Sequence, residues 1–185
     1  MIAAIVLVTV LVVLAFAVVL VRNSLIGMRN RCDEAWSGID VQLKRRHDLV
    51  PNLVETVKGY AQHERATFER VTEARAEAIR ARGPGEAGRA EGALTGALAE
   101  LRAIAEGYPE LRATENFQQL SRNLSELEAA IQAARRSYNA DVQSYNTRMQ
   151  VFPNSIVARL GGFSGREFFG IEDARERQAA RVSFS

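Results

Sequence analysis

Residues 45–57 read RRHDLVPNLVETV, with Pro51 in the middle of a pattern that is otherwise helical. Apolar residues recur at steps of three and four on both sides of it. Leu25, Met28, Cys32, Ala35, Ile39 and Leu43 come before, and Val50, Leu53, Val57, Tyr60, Phe68, Val71 and Ala78 after. That spacing is the seam of a coiled-coil-like helix, interrupted only by the charges of Arg46 and Glu64. Leu43, Arg46, Val50 and Leu53 keep step through the proline, whereas a tight turn would shift the stripe and want Gly, Asn or Asp at its centre. Proline in a helix removes one backbone bond and crowds the carbonyl of residue 47. The sequence therefore predicts a helix over 24–81 with a kink near His47 to Val50. The alternative is a restart, with Asp48 as N-cap and Pro51 in the first turn.

Working towards the C-terminus, GPGEAGRAEG at 83–92 reads as a break, with four glycines and a proline. A second helix is expected over 93–105, stopped by Gly107-Tyr108-Pro109. Thr114 or Asn116 caps a third, whose stripe runs Phe117, Leu120, Leu124, Leu127, Ile131, Ala134, Tyr138, Val142, Tyr145, Met149 and Phe152. Pro153 ends it. A short helix over 154–160 closes at Gly161-Gly162, a usual C-terminal stop. A tail follows with Phe163, Phe168 and Phe169 and the charged run EDARERQAAR.

Towards the N-terminus, Ile2 to Val21 holds no charge, and Thr9 is its one polar side chain. At about 1.5 Å per residue this stretch is about 30 Å long, the thickness of a hydrocarbon core, and it reads as a transmembrane helix. Ala15-Phe16-Ala17 resembles a signal-peptidase site. However, no basic residue precedes the apolar run, and the run continues past those alanines. Arg22, Arg29 and Arg31 flank the span and place the body of the protein in the cytoplasm by the positive-inside rule. The expected organisation is all-α. An anchor covers 1–23, an antiparallel helical bundle with a membrane-proximal stalk covers 24–152, and a short helix with an aromatic and charged tail covers 153–185.

A 24–81 helix is about 85 Å long, the third helix about 55 Å. With such a mismatch one chain cannot cover the whole first stripe. Either the membrane-proximal part, Leu25 to Leu43, stays bare except where tail aromatics reach it, or the third helix overshoots, and a bare seam with Trp36, Ile39 and Leu43 is sticky. Self-association along the stalk is the expectation.

The composition carries few signs of chemistry. Charge is nearly balanced, 24 basic against 22 acidic residues, which argues against a nucleic-acid partner. The single cysteine, Cys32, permits no intrachain disulfide and reads as a small buried side chain. His47 and His63 are read as exposed helix residues, and His63-Glu64 lacks the second histidine of a zinc-protease motif. GGFSG at 161–165 follows a helix rather than a strand and reads as a helix stop, not a phosphate loop. Lys44-Arg45-Arg46 reads as a solvated face or an ion-pair partner, between chains, for Asp40, Asp48 or Glu55. Tyr138-Asn139 and Tyr145-Asn146 repeat at a spacing of seven. The tyrosines either fill the core with a polar tip at its edge or form a ladder between helices. No enzymatic activity, cofactor or metal is expected.

Long stretches of the chain resemble the LemA family of bacterial membrane-anchored helical proteins. They are IDVQLKRRHDLVPNLVETVKGYAQHE at 39–64, YPELRATENFQQLSRNLSELE at 108–128, SYNADVQSYNTRMQVFPNSIVARLGGF at 137–163 and EFFGIEDARERQAARVSF at the end. The resemblance implies an N-terminal membrane helix, a cytoplasmic antiparallel bundle and no known enzymatic activity. One member takes part in building magnetosome membranes, and others are associated with membrane proteases. Where members often carry Thr-Glu-Asn in the third helix, this chain has Leu127-Glu128-Ala129. That favours a plain hydrophobic seam there over a polar network.

The resulting expectation is a single-pass scaffold that self-assembles at the bacterial inner membrane. Its partners would be the lipid bilayer and further copies of itself. The alternative is an adaptor presenting its helical seam to a membrane protease or other membrane protein. The expected surfaces between copies are the proline region, with Trp36, Ile39, Asp40, Leu43, Arg45, Arg46, Asp48, Pro51 and Asn52, and the third-helix end, with Tyr138, Asn139, Tyr145, Asn146, Phe152 and Pro153.

Overall fold

The computed structural model describes residues 1–170. The charged run after Gly170 lies outside the described residues. Six helices follow one another: α1 (Ile2–Lys58), α2 (Arg65–Arg80), α3 (Gly83–Glu106), α4 (Pro109–Ala113), α5 (Glu115–Gln150) and α6 (Asn154–Leu160). No strand occurs among the described residues. The all-α expectation holds.

The chain divides into two compact units, both drawing on α1 and α5. One comprises Met1–Ala35 with Ser137–Arg166. The other comprises Trp36–Arg136 with, among the described residues, Glu167 to Gly170.

Pro51 lies inside α1, and no restart occurs at Asp48. The helix runs on to Lys58 because the missing Pro51 N–H is compensated from elsewhere. Arg75 Nε, on α2, donates to the His47 carbonyl at 2.7 Å, the acceptor that proline leaves unpaired.

A break that the sequence reading did not expect interrupts the 24–81 helix at Gly59–Glu64. There the backbone tightens into bonds from Tyr60 N to Val57 O (3.0 Å) and from Glu64 N to Ala61 O (3.1 Å). The apolar stripe continues across this turn because Ala61, Phe68 and Val71 are buried on the far side of it. An unbroken period therefore concealed two helices.

The Gly-Pro cluster at 83–92 is the start of α3 rather than a break. Pro84 occupies the first turn, where a missing N–H costs nothing. Glu86 Oε2 accepts from the Arg82 N–H at 3.0 Å, and Gly83 takes φ +74°. The five-residue α4, with Leu111 fully buried, was not legible in the sequence. Thr114 Oγ1 accepts from Phe117 N–H at 3.4 Å and caps α5 as expected. Gly161 closes α6.

These boundaries remove the length mismatch. The part of α1 beyond residue 23 is about 52 Å long and α5 about 54 Å. Leu25, Cys32, Ile39 and Leu43 are each at most 4% exposed. The expected bare seam does not exist, and self-association loses that support.

In the second unit the core gathers Val50, Leu53, Val57, Phe68, Val71, Leu94, Leu98, Leu101, Leu111, Leu120 and Leu124. Burial on this scale is the dominant favourable term in folding.

In the first unit, Ile2 to Leu20 is exposed along its length. By length and composition this stretch of α1 could cross a membrane. Thr9 Oγ1 donates to the Ile5 carbonyl at 2.9 Å, so the span presents no unpaired hydroxyl to lipid.

Candidate functional site

Arg46 and His47 are 3% and 9% exposed. The reading of His47 as an exposed helix residue, and of Arg46 as a solvated one, is corrected. Both side chains reach Glu91 on α3, itself 5% exposed. His47 Nε2 lies 2.5 Å from Glu91 Oε1, and Arg46 Nη1 lies 3.2 Å from Glu91 Oε2. The other arm of Arg46 donates to Thr95 Oγ1 at 2.7 Å and pairs with Glu128 of α5 at 3.3 Å. Gln132 Nε2 donates to Glu128 Oε1 at 3.0 Å. A polar network therefore exists where Leu127-Glu128-Ala129 suggested a plain seam, because Glu128 alone is enough to engage Arg46.

Sequence reasoning missed Glu91 and Thr95. Their only local signal is a Glu and a Thr four apart on a helix, which is commonplace.

A cavity of about 440 Å³ adjoins this cluster. Arg46, Glu91, Glu128, Arg135, Phe169 and Gly170 are among its walls. Its edge is closed by the tail: Phe169 meets Trp36 edge-on at 5.5 Å between ring centroids. Arg135 Nη2 donates to the Gly170 carbonyl at 2.5 Å. Gly88 is required beneath it, because a Cβ there would collide with the Gly170 backbone. Arg46 and His47 both spend their donors on neighbouring helices, so the arrangement clamps α1, α3 and α5 together. Among the described residues no group of three or more His, Cys, Asp or Glu side chains could hold a metal ion.

In the first unit, Tyr145 and Asn146 pin the strand of chain that follows α6. Tyr145 Oη donates to the Ser164 carbonyl at 3.1 Å. Asn146 brackets Arg166, accepting from its N–H at 2.8 Å and donating to its carbonyl at 2.9 Å. Arg166 in turn reaches Asp33 at 2.6 Å. Tyr145 thus fills the core with a polar tip, and the bonds go to a backbone strap rather than to a ladder of helices. Burial pushes the Tyr145 phenol above its ordinary value, with Arg166 opposing. Burial also raises the Cys32 thiol, reinforced by Asp141 and opposed by Arg166. Cys32 is the small buried side chain expected.

Of the residues assigned to contacts between copies, Ile39, Leu43, Arg46, Tyr138 and Tyr145 are buried within one chain. Trp36 packs on Phe169, and Asn146 is bound to Arg166. Pro51 and Asn139 are half-buried. This corrects the assignment of the buried residues to a contact surface. Asp40, Arg45, Asp48, Asn52, Phe152 and Pro153 remain exposed, as do the flanking Arg22, Arg29 and Arg31.

The LemA family description matches residues 35–184, which hold the Arg46-His47 clamp, α5 and the Tyr145-Asn146 pin. The chain belongs to the LemA family. Magnetosome protein MamQ 2 of Paramagnetospirillum magneticum is 27% identical, over 90% of this chain and 71% of that protein. Magnetosome protein MamQ of Magnetospirillum gryphiswaldense is 26% identical, over 88% and 70%. Protein LemA of Metamycoplasma hominis is 28% identical, over 75% and 64%. With its apolar helix and all-α bundle, this LemA-family chain is a membrane-associated helical protein.

Proposed function

We propose that the protein is a single-pass, membrane-anchored helical scaffold that self-assembles at the bacterial inner membrane and serves in membrane organisation or remodelling. The carrying observation is that α1 is one unbroken helix, Ile2–Lys58. Its first third is exposed and apolar, and its remainder is built into packed cores. Arg22, Arg29 and Arg31 support a cytoplasmic bundle by the positive-inside rule. The resemblance to proteins named as magnetosome proteins supports work on membranes rather than on a soluble substrate.

With the seam covered, the charged pair Arg45 and Asp48 offers a surface for assembly. Arg45 and Asp48 line an open groove of about 630 Å³ with Leu49, Asn123, Glu126 and Leu127. Opposite charges three residues apart suit a two-fold contact, in which each copy's Arg45 faces the other's Asp48. The test is the native mass of the detergent-solubilised full-length protein. Arg45→Glu or Asp48→Arg should lower the mass, and the two together should restore it. An unchanged mass in both single variants would defeat this contact.

The adaptor reading draws on the same groove, whose apolar floor of Leu49, Leu127 and Ala130 suits a partner helix. A monomeric chain that copurifies with one stoichiometric foreign membrane protein would favour it.

A further inference from the structure

Beyond the span, seven large apolar side chains are exposed among the described residues, and four of them fall within 151–160: Val151, Phe152, Ile156 and Leu160. Phe152 is 77% and Leu160 84% exposed. Val41, Tyr60 and Ile79 are scattered singly and need no explanation. A run of four does. Ile156 and Leu160 share one face of α6, whereas Asn154, Val157 and Ala158 on the other side are buried. Exposed Arg148 and Arg159 flank the apolar residues.

The chain just after α6 fixes where this corner lies along α1. The Arg29 guanidinium stands 5.8 Å from the centroid of the Phe163 ring, and Arg166 bonds Asp33. Residues 163–166 therefore travel along α1 in the direction from Arg29 to Asp33, away from the span. α6 is tied directly to this stretch, because the Phe163 N–H bonds the Ala158 carbonyl, and the end of α5 reaches the same level through Asn146 and Arg166, so the 151–160 corner lies close to Arg29. Arg29 is eight residues past Val21, about 12 Å along the helix. The headgroup layer extends about 5–8 Å beyond the hydrocarbon on each side. An apolar corner close to Arg29 is within a few ångströms of that layer. An apolar face flanked by arginines has the make-up of an interfacial helix, its cations reaching up to the headgroups.

We propose that the 151–160 corner is a second membrane contact. Phe152, Ile156 and Leu160 enter the headgroup–acyl boundary of the bilayer that α1 spans, with Arg148 and Arg159 on anionic headgroups. This rests on the reading of α1 as a membrane span. It would fix the rotation and tilt of the bundle on the membrane, which one span leaves free.

The test uses the full chain in vesicles of phosphatidylcholine with phosphatidylglycerol as the minor component. A nitrobenzoxadiazole dye is placed, in a Cys32→Ala background, at Leu160→Cys, at Phe152→Cys, and at Ser137→Cys as an exposed control on α5. Circular dichroism confirms that each variant keeps its helix content. The proposal expects both corner dyes to shift to the blue and lose fluorescence to nitroxide-labelled lipid, while the Ser137 dye does neither. Omitting phosphatidylglycerol should weaken the quenching at both corner sites. Corner dyes quenched by aqueous iodide and untouched by nitroxide lipid would overturn it, as would dyes shielded from both, the sign of a second copy on this face. Flotation keeps the two readings apart. A protein that fails to float with the vesicles loses the span itself, whereas one that floats with a water-exposed corner loses only the docking.

Discussion

Arg46 and His47 are neighbours on α1, so their side chains leave the helix about 100° apart, yet both end on Glu91. Three ionisable groups this deeply buried are tolerable only while they satisfy one another. Glu91→Ala removes the buried partner of His47 and of one arm of Arg46, leaving Arg46 only Thr95 and Glu128, and should cost about 3 kcal/mol. The exposed pair of Lys58 with Glu55 is the control, and Glu55→Ala should cost under about 1 kcal/mol. Thermal melts of the detergent-solubilised chain followed by circular dichroism compare the two. Cys32 and Tyr145 give a pH prediction. Burial raises both groups in the folded state, so folding favours their protonated forms. The stability they contribute is fully present below their ordinary values and is lost as pH rises through the raised ones. The melting temperature should therefore fall on the alkaline side, and Cys32→Ala with Tyr145→Phe should flatten that limb. Iodoacetamide should label Cys32 slowly until the chain unfolds. The burial of Cys32 and of the Tyr145 ring was legible in the apolar period. The destinations of Arg46 and His47 were not, because no local pattern tells a charge interrupting a stripe that its partner lies 45 residues on.

Among the elements, α5 and α6 could be read nearly to the residue, since period, cap and proline agree there. α1 and α2 could not be separated, because the stripe keeps its register across the Gly59–Glu64 turn. α3 was read short, because Gly83-Pro84 marks a helix start as readily as a break. Pro51 is where element and tertiary contact meet. Its missing N–H leaves the His47 carbonyl to Arg75, docking α2 against α1. Pro51→Ala restores the helix bond and competes with that contact. Arg75→Ala should cost about 1–2 kcal/mol with Pro51 present and distinctly less in the Pro51→Ala background, so the cycle should be non-additive. Additive melts would show that Arg75 does not depend on the proline. Gly88 makes a second test. Gly88→Ala drives a methyl into the Gly170 backbone and should cost about 1–3 kcal/mol, the range of overpacking. It should also expose Trp36, read as a red shift of its fluorescence as Phe169 leaves it.

For the whole molecule, the N-terminal helix long and apolar enough to cross a membrane, the all-α class and the family were legible, carried by an uncharged apolar run, an unbroken helical period and long matching stretches. The expected route to assembly was not borne out. It rested on a helix extended from 58 to 81, whereas α1 ends at Lys58 and its part beyond residue 23 matches α5 in length. What remains central is the proposal that one helix, α1, is both membrane anchor and part of the helical bundle. The most direct measurement is the fate of the chain in carbonate-washed cell membranes, read as fraction and mass. The account predicts the full-length chain, uncleaved, in the membrane pellet, and a chain begun at Ser24 in the wash. A full-length chain released by carbonate, or one shortened near Ala17, would contradict it.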